Sequence, residues 1–166
     1  MKYELNPDYY DIVEPMDFLY LDSPKLSQVK NIFQDISEVP TNFEYDRITS
    51  VATLEHISNL PYVIAKSGLL LTKNGVFRAS IPSEGTILWK LGWKVSTGLE
   101  FKIKYNLDYA HIMNYEHVNS AKEIEEILKY FFKNVNESVF GFSKSFSLYQ
   151  YYECSNPILS RCNQYA

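Results

Sequence analysis

Three acidic residues stand at near-equal intervals in the first third of the chain, each closing a short apolar run. They are Glu14, Asp35 and Glu55. In α/β proteins the carboxyl ends of parallel strands meet on one rim of the sheet, and ligands bind there. Carboxylates at that rim can accept hydrogen bonds from ribose hydroxyls or from the exocyclic amine of adenine. The spacing therefore predicts a nucleoside-binding rim, and the alternative is that each acid is solvated or caps the next helix.

The residues around Glu55 predict a strand–helix–strand unit. A helix that connects two strands of one sheet makes them parallel, so both strands end on the same rim. Glu55 and His56 then lie at the carboxyl end of the first strand, and residues 83–85 at that of the second. His56 is the candidate catalytic residue, and the alternative is a structural hydrogen-bonding histidine. The predicted elements are a strand at 45–53, a helix at 58–71, a turn at 74–75 and a strand at 76–81.

The second half of the chain predicts an irregular segment, a helix and a strand pair. Residues 83–117 contain both tryptophans and little periodicity, which is typical of an insertion that lines a ligand site. Ser120 and Glu123 predict a capping box at the start of a helix over 120–132. The tight link at 143–144 predicts that strands at 135–142 and 145–154 pair antiparallel.

Composition narrows the class of protein. A chain of 166 residues with 46% hydrophobic residues predicts one globular α/β domain over 1–166. The net charge of −4 argues against a nucleic-acid scaffold, which usually has a basic face. No apolar run approaches a membrane span and the start has no signal-peptide core, so we expect no membrane partner and a cytoplasmic location.

The cysteines and histidines predict no metal site. Cys154 and Cys162 match no zinc-ligand spacing, and the three histidines of the chain supply too few ligands. A local disulfide between the two cysteines is the less favoured reading, because nothing else indicates an oxidising compartment.

Four segments together resemble class I S-adenosyl-L-methionine (SAM)-dependent methyltransferases of the UbiE-like, type 11 group. Residues 116–119 and the helix that follows are also similar to bacterial members of that group. The resemblance covers nearly the whole chain. It implies a Rossmann-like, mostly parallel sheet with an antiparallel C-terminal strand pair. The four segments are residues 10–15, 34–36, 45–57 and 75–85.

The resemblance also implies roles for particular residues. Glu14 is expected to bind the ribose of SAM, and Asp35 the adenine. Ser50 and Val51 are expected beside the methionine portion. His56 is expected to face the methyl-transfer site. The substrate-binding candidates are Glu116 and His117, beside an aromatic and mildly basic insertion that would line the site of a small or sugar-like acceptor.

The chain departs from this family at its start. Such enzymes open with a strand and a Gly-x-Gly-x-Gly loop that lets the backbone approach the amino-acid end of SAM. No such loop precedes Glu14, and the first glycine is Gly68. The sequence thus predicts a methyltransferase sheet that is incomplete at the N-terminus, from a truncated frame, a fragment or a degenerate protein. The alternative function is a non-catalytic remnant or binding module of the same fold.

The missing strand would lie at the sheet centre in that family, between the second and fourth strands. Its absence leaves strand edges unpaired near residues 10–14 and 45–53, which is a pairing hazard. We expect these two strands to pair directly, or a second copy to fill the edge and give a homodimer. A surrogate strand from residues 1–9 is less favoured, because Asn6-Pro7-Asp8 breaks that segment.

Overall fold

The computed structural model describes residues 10–20, 29–83, 86–93, 99–106 and 117–166. The chain divides into two compact units, Met1–Phe43 and Glu44–Ala166. Each unit has its own β-sheet. The single domain expected from the sequence stays a prediction.

The first unit contains a two-stranded parallel sheet. Strand β1 is Asp11–Val13 and strand β2 is Asn31–Phe33, with Val13 opposite Phe33. The Asp11 carboxylate joins them by accepting hydrogen bonds from the backbone and side-chain N–H groups of Asn31 at 3.0 and 2.9 Å. Short 3₁₀ helices follow the two strands, at Asp17–Leu19 and Ile36–Glu38. The parallel register brings the carboxyl ends of β1 and β2 to the same edge.

The second unit contains a four-stranded sheet in the order β3-β4-β6-β5, with helices between its strands. A 3₁₀ turn at Leu54–His56 connects the first strand to the first helix. The elements are β3 Tyr45–Val51, α1 Leu60–Leu69, β4 Leu71–Pro82, α2 Ile87–Trp93, α3 Leu99–Tyr105, α4 Ala121–Phe131, β5 Phe132–Ser143, β6 Phe146–Pro157 and α5 Leu159–Tyr165.

The expected Rossmann-like, mostly parallel sheet is wrong. β3 and β4 are parallel, but β6 is antiparallel to both β4 and β5. The physical reason is the tight turn at Lys144 and Ser145, which reverses the chain so that β6 must run against β5. β6 then inserts between β5 and β4 and imposes the antiparallel direction on both of its neighbours. The crossover helix α1 fixes only the β3–β4 pair as parallel.

Two further expectations about the strands are corrected. β1 and β3 belong to different sheets within the described residues, so they do not pair directly. The expected turn at residues 74–75 lies inside the continuous strand β4. There the register moves from Tyr45 opposite Leu71 to Arg47 opposite Val76, which is a bulge. Gly75 permits the bulge, because a Cβ there would lie 2.8 Å from the Tyr45 carbonyl oxygen. Residues 1–9 lie outside the described residues.

Apolar residues of the sheet and helices form one buried core in the second unit. Phe77 of β4 stacks on Phe132 of β5 at a centroid distance of 5.9 Å. The predicted capping box is confirmed, with Ser120 and Glu123 bonded reciprocally at the start of α4. The antiparallel pairing of β5 and β6 is also present. Within the described ranges, none of the helices combines the length and the apolar character that crossing a membrane requires.

Candidate functional site

The candidate site lies where β3 ends, at the 3₁₀ turn Leu54–His56. Ala52 precedes the turn with φ 48°, in the left-handed region that a residue with a side chain rarely adopts. Its N–H donates to the Ser80 carbonyl of β4 at 2.8 Å, so the chain leaves the sheet immediately after this bond. The turn buries Leu54 and Glu55 and leaves His56 exposed. A sharp change of direction thus separates a buried carboxyl from an exposed imidazole.

Asn119 holds this turn from the other side. Its side-chain amide donates to the carbonyls of Leu54 at 2.9 Å and Ile57 at 2.7 Å. The backbone N–H groups of Val118 and Asn119 both donate to the Glu55 carbonyl, at 2.9 and 3.1 Å. These four hydrogen bonds satisfy three carbonyls of a turn that has few internal bonds of its own. They fix the direction of the Glu55 side chain and bring the neighbouring His117 to the turn.

Glu55 is the most unusual residue of the site. It is only 2% exposed, and no hydrogen-bond partner for its Oε2 atom is found among the described residues. Its Oε1 atom lies 3.9 Å from Nε2 of His56, which is an ion-pair distance when the histidine is protonated. Burial raises the pKa of the Glu55 carboxyl above its usual range, and its own backbone N–H and the charge of His56 offset only part of that effect.

The two histidines of the site face each other. The rings of His56 and His117 have centroids 4.6 Å apart in an edge-to-face arrangement. The His56 side chain is 42% exposed, whereas His117 is half-buried. Burial lowers the pKa of His117, and a positive charge on His56 lowers it further. Positive charge on both rings at once is therefore disfavoured.

The residues expected to bind the nucleoside lie in the first unit. Glu14 follows β1 and accepts a hydrogen bond from the Met16 N–H at 2.9 Å. Asp35 follows β2, caps the 3₁₀ helix after it and accepts from the Ser37 N–H at 2.7 Å. Hydrogen bonds from Ser37 lower the pKa of Asp35 below its usual range. Both acids lie at the carboxyl-end edge of the β1–β2 sheet. Asp35 makes the bond of the capping alternative, whereas the bond of Glu14 to Met16 is local and caps no helix.

The remaining expected site residues lie in or after the second unit's first strand. Ser50 is half-buried near the end of β3, and Val51 is 63% exposed at its last position. The structure brings His56 and His117 together, although 60 residues separate them in the sequence. Glu116 lies outside the described residues. So do residues 84–85, 94–98 and 107–116 of the expected insertion at 83–117.

The geometry depends on two residues whose positions here the sequence does not predict. The sequence predicts Glu55 as one of three acids at a ligand-binding rim, and Asn119 only as part of a segment similar to methyltransferases. The adjacent Glu-His pair at the end of a strand was the available signal for Glu55. No comparable signal marks Asn119, because its partners are backbone carbonyls 62 and 65 residues away.

The described part of the chain holds neither a metal-ligand cluster nor a disulfide. No group of three or more His, Cys, Asp or Glu side chains there is arranged to hold a metal ion. Cys154 and Cys162 are buried and free, and burial raises the pKa of both thiols, that of Cys154 to about 12. Neither thiol is therefore a reactive nucleophile in this structure.

No family model matches the chain, and no curated protein matches it.

Proposed function

We propose that this chain is a SAM-dependent methyltransferase domain that acts on a small-molecule acceptor. The observation that carries the proposal is the parallel β3–α1–β4 unit with Glu55 and His56 at the carboxyl end of β3 and His117 beside them. The resemblance to methyltransferases assigns the methyl-transfer site to this position. A base there serves an acceptor that must lose a proton, and the neighbouring imidazoles supply one.

The acids of the first unit suit the nucleoside end of SAM. Glu14 and Asp35 lie at one edge of the β1–β2 sheet, and each accepts a backbone hydrogen bond. A carboxylate has about four acceptor positions, so both retain capacity for ribose hydroxyls or an adenine amine. The resemblance alone assigns Ser50 and Val51, which belong to the second unit, to the methionine portion. SAM would supply an activated methyl group, and the protein would mainly align the acceptor with it.

The alternative is a non-catalytic binding module of this chain. It is favoured by the local hydrogen bonds of Glu14 and Asp35, because an acid that only caps a turn makes the same contacts. The two readings differ in whether the chain recognises the adenosine group of SAM.

Two parts of the proposal concern the setting of the protein. A cytoplasmic location is consistent with free, buried cysteines. A homodimer could form through β3, because this strand lies at one edge of the four-stranded sheet within the described residues. Both stay predictions.

Saturation-transfer NMR with SAM tests the proposed function. We expect weak binding in which adenine and ribose protons of SAM receive saturation and methionine protons receive little, because no glycine-rich loop holds the amino-acid end. Adenosine should compete fully. Glu14→Ala should remove the ribose signal, since hydrogen bonds to a carboxylate contribute roughly 1.5–3 kcal/mol.

The exposed Asp17 provides a matched control, and Asp17→Ala should leave the spectrum unchanged. An absence of saturation transfer from SAM and adenosine would overturn the methyltransferase proposal and favour the binding module. Tight micromolar binding with strong methionine signals would contradict the expected weakness of the amino-acid end.

A further inference from the structure

We infer that Glu55, His56 and His117 form a proton-transfer site that binds its ligand through a hydroxyl group, with Glu55 as the positioning residue for His56. This deepens the proposed function and names the class of acceptor. It rests on the proposed function only for what later happens to the ligand's oxygen, because the proton transfer itself needs no cofactor.

The burial of the Glu55 carboxyl costs free energy of folding. A buried polar atom without a hydrogen bond costs about 1–3 kcal/mol, and such atoms are rare in folded proteins. Glu55 is 2% exposed and its Oε2 atom has no partner among the described residues. The charge that this carboxyl can place behind His56 gives its burial a use.

Hydrogen bonds around the turn hold this carboxyl in place. Asn119 and the N–H of Val118 hold the carbonyls of Leu54, Glu55 and Ile57, at distances of 2.7–3.1 Å. The left-handed Ala52 directs the chain into the turn. Strained backbone and long-range hydrogen bonds around one side chain are characteristic of functional sites. The carboxyl thus has a fixed position relative to His56.

The three groups differ in exposure, from the buried Glu55 through the half-buried His117 to the exposed His56. Glu55 is closed to solvent, His56 lies 3.9 Å from it, and His117 stacks edge-to-face on His56. The side chain of His56 is 42% exposed and is the group that a ligand can reach. A carboxylate behind an imidazole stabilises the imidazolium that forms when the imidazole accepts a proton. His117 disfavours a second proton nearby.

The chemistry of the site selects a hydroxyl ligand. In the transfer, the O–H bond of the ligand breaks, an N–H bond forms on the imidazole of His56, and the electron pair stays on the ligand's oxygen. The Glu55 carboxylate balances the new positive charge. A hydroxyl group keeps its proton near neutral pH and so gains from a base, whereas an acceptor that is already unprotonated gains little.

Binding of 4-nitrophenol, whose visible absorption reports loss of its phenolic proton, tests the inference without any cofactor. At about pH 6, where most of the free probe is protonated, we expect the wild-type protein to bind the probe and raise its ionised fraction. The methyl ether 4-nitroanisole has no hydroxyl group and should bind more weakly. The probe should also shift the His56 and His117 ring signals in NMR spectra.

Three variants separate the roles of the residues. Glu55→Gln should reduce the ionised fraction of bound probe by about tenfold, because the imidazolium loses its carboxylate, while the protein stays folded. His56→Asn should abolish probe ionisation. Glu126→Gln is the matched control, because it makes the same chemical change at an exposed glutamate that pairs with Lys122. It should leave the probe signal unchanged.

Equal binding of 4-nitrophenol and 4-nitroanisole, or unchanged ionisation in Glu55→Gln, would overturn the inference. The inference would also be overturned if saturating probe left the NMR ring signals of both His56 and His117 unshifted. Because no SAM is present, failure here is distinct from failure of the saturation-transfer experiment. The proton-transfer site could stand while the cofactor proposal falls, and the reverse also holds.

Discussion

Glu55 and Glu125 are both largely buried glutamates of the second unit, but their surroundings are opposite. The Glu125 side chain is 13% exposed, and its two carboxylate oxygens accept hydrogen bonds from the ammonium groups of Lys129 and Lys144. The Glu55 side chain is 3% exposed, and its nearest group that can carry positive charge is His56 at 3.9 Å. One carboxylate is fully paired, and the other is kept with an open oxygen.

The pKa values of the two carboxyl groups diverge for this reason. Burial raises the pKa of Glu125, but hydrogen bonds and charge from the two lysines outweigh burial, and the pKa falls below its usual range. Burial dominates at Glu55, and its pKa rises. Burial alone therefore does not predict the charge state of a glutamate, because its hydrogen-bonding and charged partners decide it.

The paired cluster also has a clear structural role. Lys144 lies in the turn between β5 and β6 and donates to Glu125 of α4 and to Glu137 of β5. Burial lowers the pKa of Lys144, but its two glutamate partners raise it well above the usual lysine value. The ammonium therefore stays charged and ties the hairpin to the helix. Among the described residues, the Glu55 carboxyl forms no lysine ion pair that joins two elements, and hydrogen bonds from Asn119 hold its turn instead.

The largest effect is expected from removing the side chain that holds the Glu55 turn. Asn119→Ala deletes two hydrogen bonds, to Leu54 and Ile57, and leaves two carbonyls unsatisfied. We expect a loss of roughly 2 kcal/mol in the free energy of unfolding, measured by urea denaturation. The ring contact of His56 and His117 should also loosen, which chemical shifts of the ring protons would report.

Asn134→Ala provides the control for this loss. Asn134 is exposed and makes a single long hydrogen bond of 3.4 Å to Ser155, so its removal should cost little. Equal stability losses in the two variants would show that Asn119 does not clamp the turn.

The second prediction places the same substitution at the two contrasted sites. Glu125→Gln should lower the free energy of unfolding at neutral pH by about 1–2 kcal/mol, because Lys129 loses its charged partner and Lys144 keeps only Glu137. Glu55→Gln should leave stability unchanged or raise it by up to about 1 kcal/mol, because no buried charge remains. Thermal and urea unfolding of both variants measure the contrast.

The two effects should also depend on pH with opposite signs. The raised pKa of Glu55 means that native-state stability falls as pH rises from the unfolded value through the raised one, so the benefit of Glu55→Gln appears only above that window. The lowered pKa of Glu125 gives stability that is present above the unfolded value and lost as pH falls through the lowered one. A cost of Glu125→Gln that persists unchanged in acid would contradict this account.

Local sequence signals predicted several elements of the fold correctly. The β3–α1–β4 unit, the capping box of Ser120 and Glu123, and the antiparallel β5–β6 pair all follow from short-range patterns. The direction of the whole sheet did not follow, because it depends on β6 inserting between β4 and β5. That choice is a long-range pairing which no local pattern of residues encodes. The predicted turn at residues 74–75 was wrong for the opposite reason. The Asn-Gly pair is a strong local turn signal, but the long-range pairing with β3 makes it a bulge inside β4.

The candidate site was predictable in part. His56 and His117 were each selected from the sequence, but their contact depends on the fold of the intervening 60 residues. The burial of Glu55 was not predictable, because a glutamate at a strand end is usually exposed to solvent. Its burial results from the 3₁₀ turn and from Asn119, whose hydrogen bonds reach across more than 60 residues.

The most direct test of the central claim is the titration of the two carboxyl groups in one sample. Carbon-detected NMR of protein labelled with ¹³C in its glutamate side chains would follow Glu55 and Glu125 together, with Glu55→Gln and Glu125→Gln assigning the signals. We expect Glu55 to titrate above the usual glutamate range and Glu125 below it. A pKa of Glu55 at or below that of Glu125 would contradict the account. It would mean that the Glu55 carboxyl is not held in the buried environment at the end of β3 that raises its pKa.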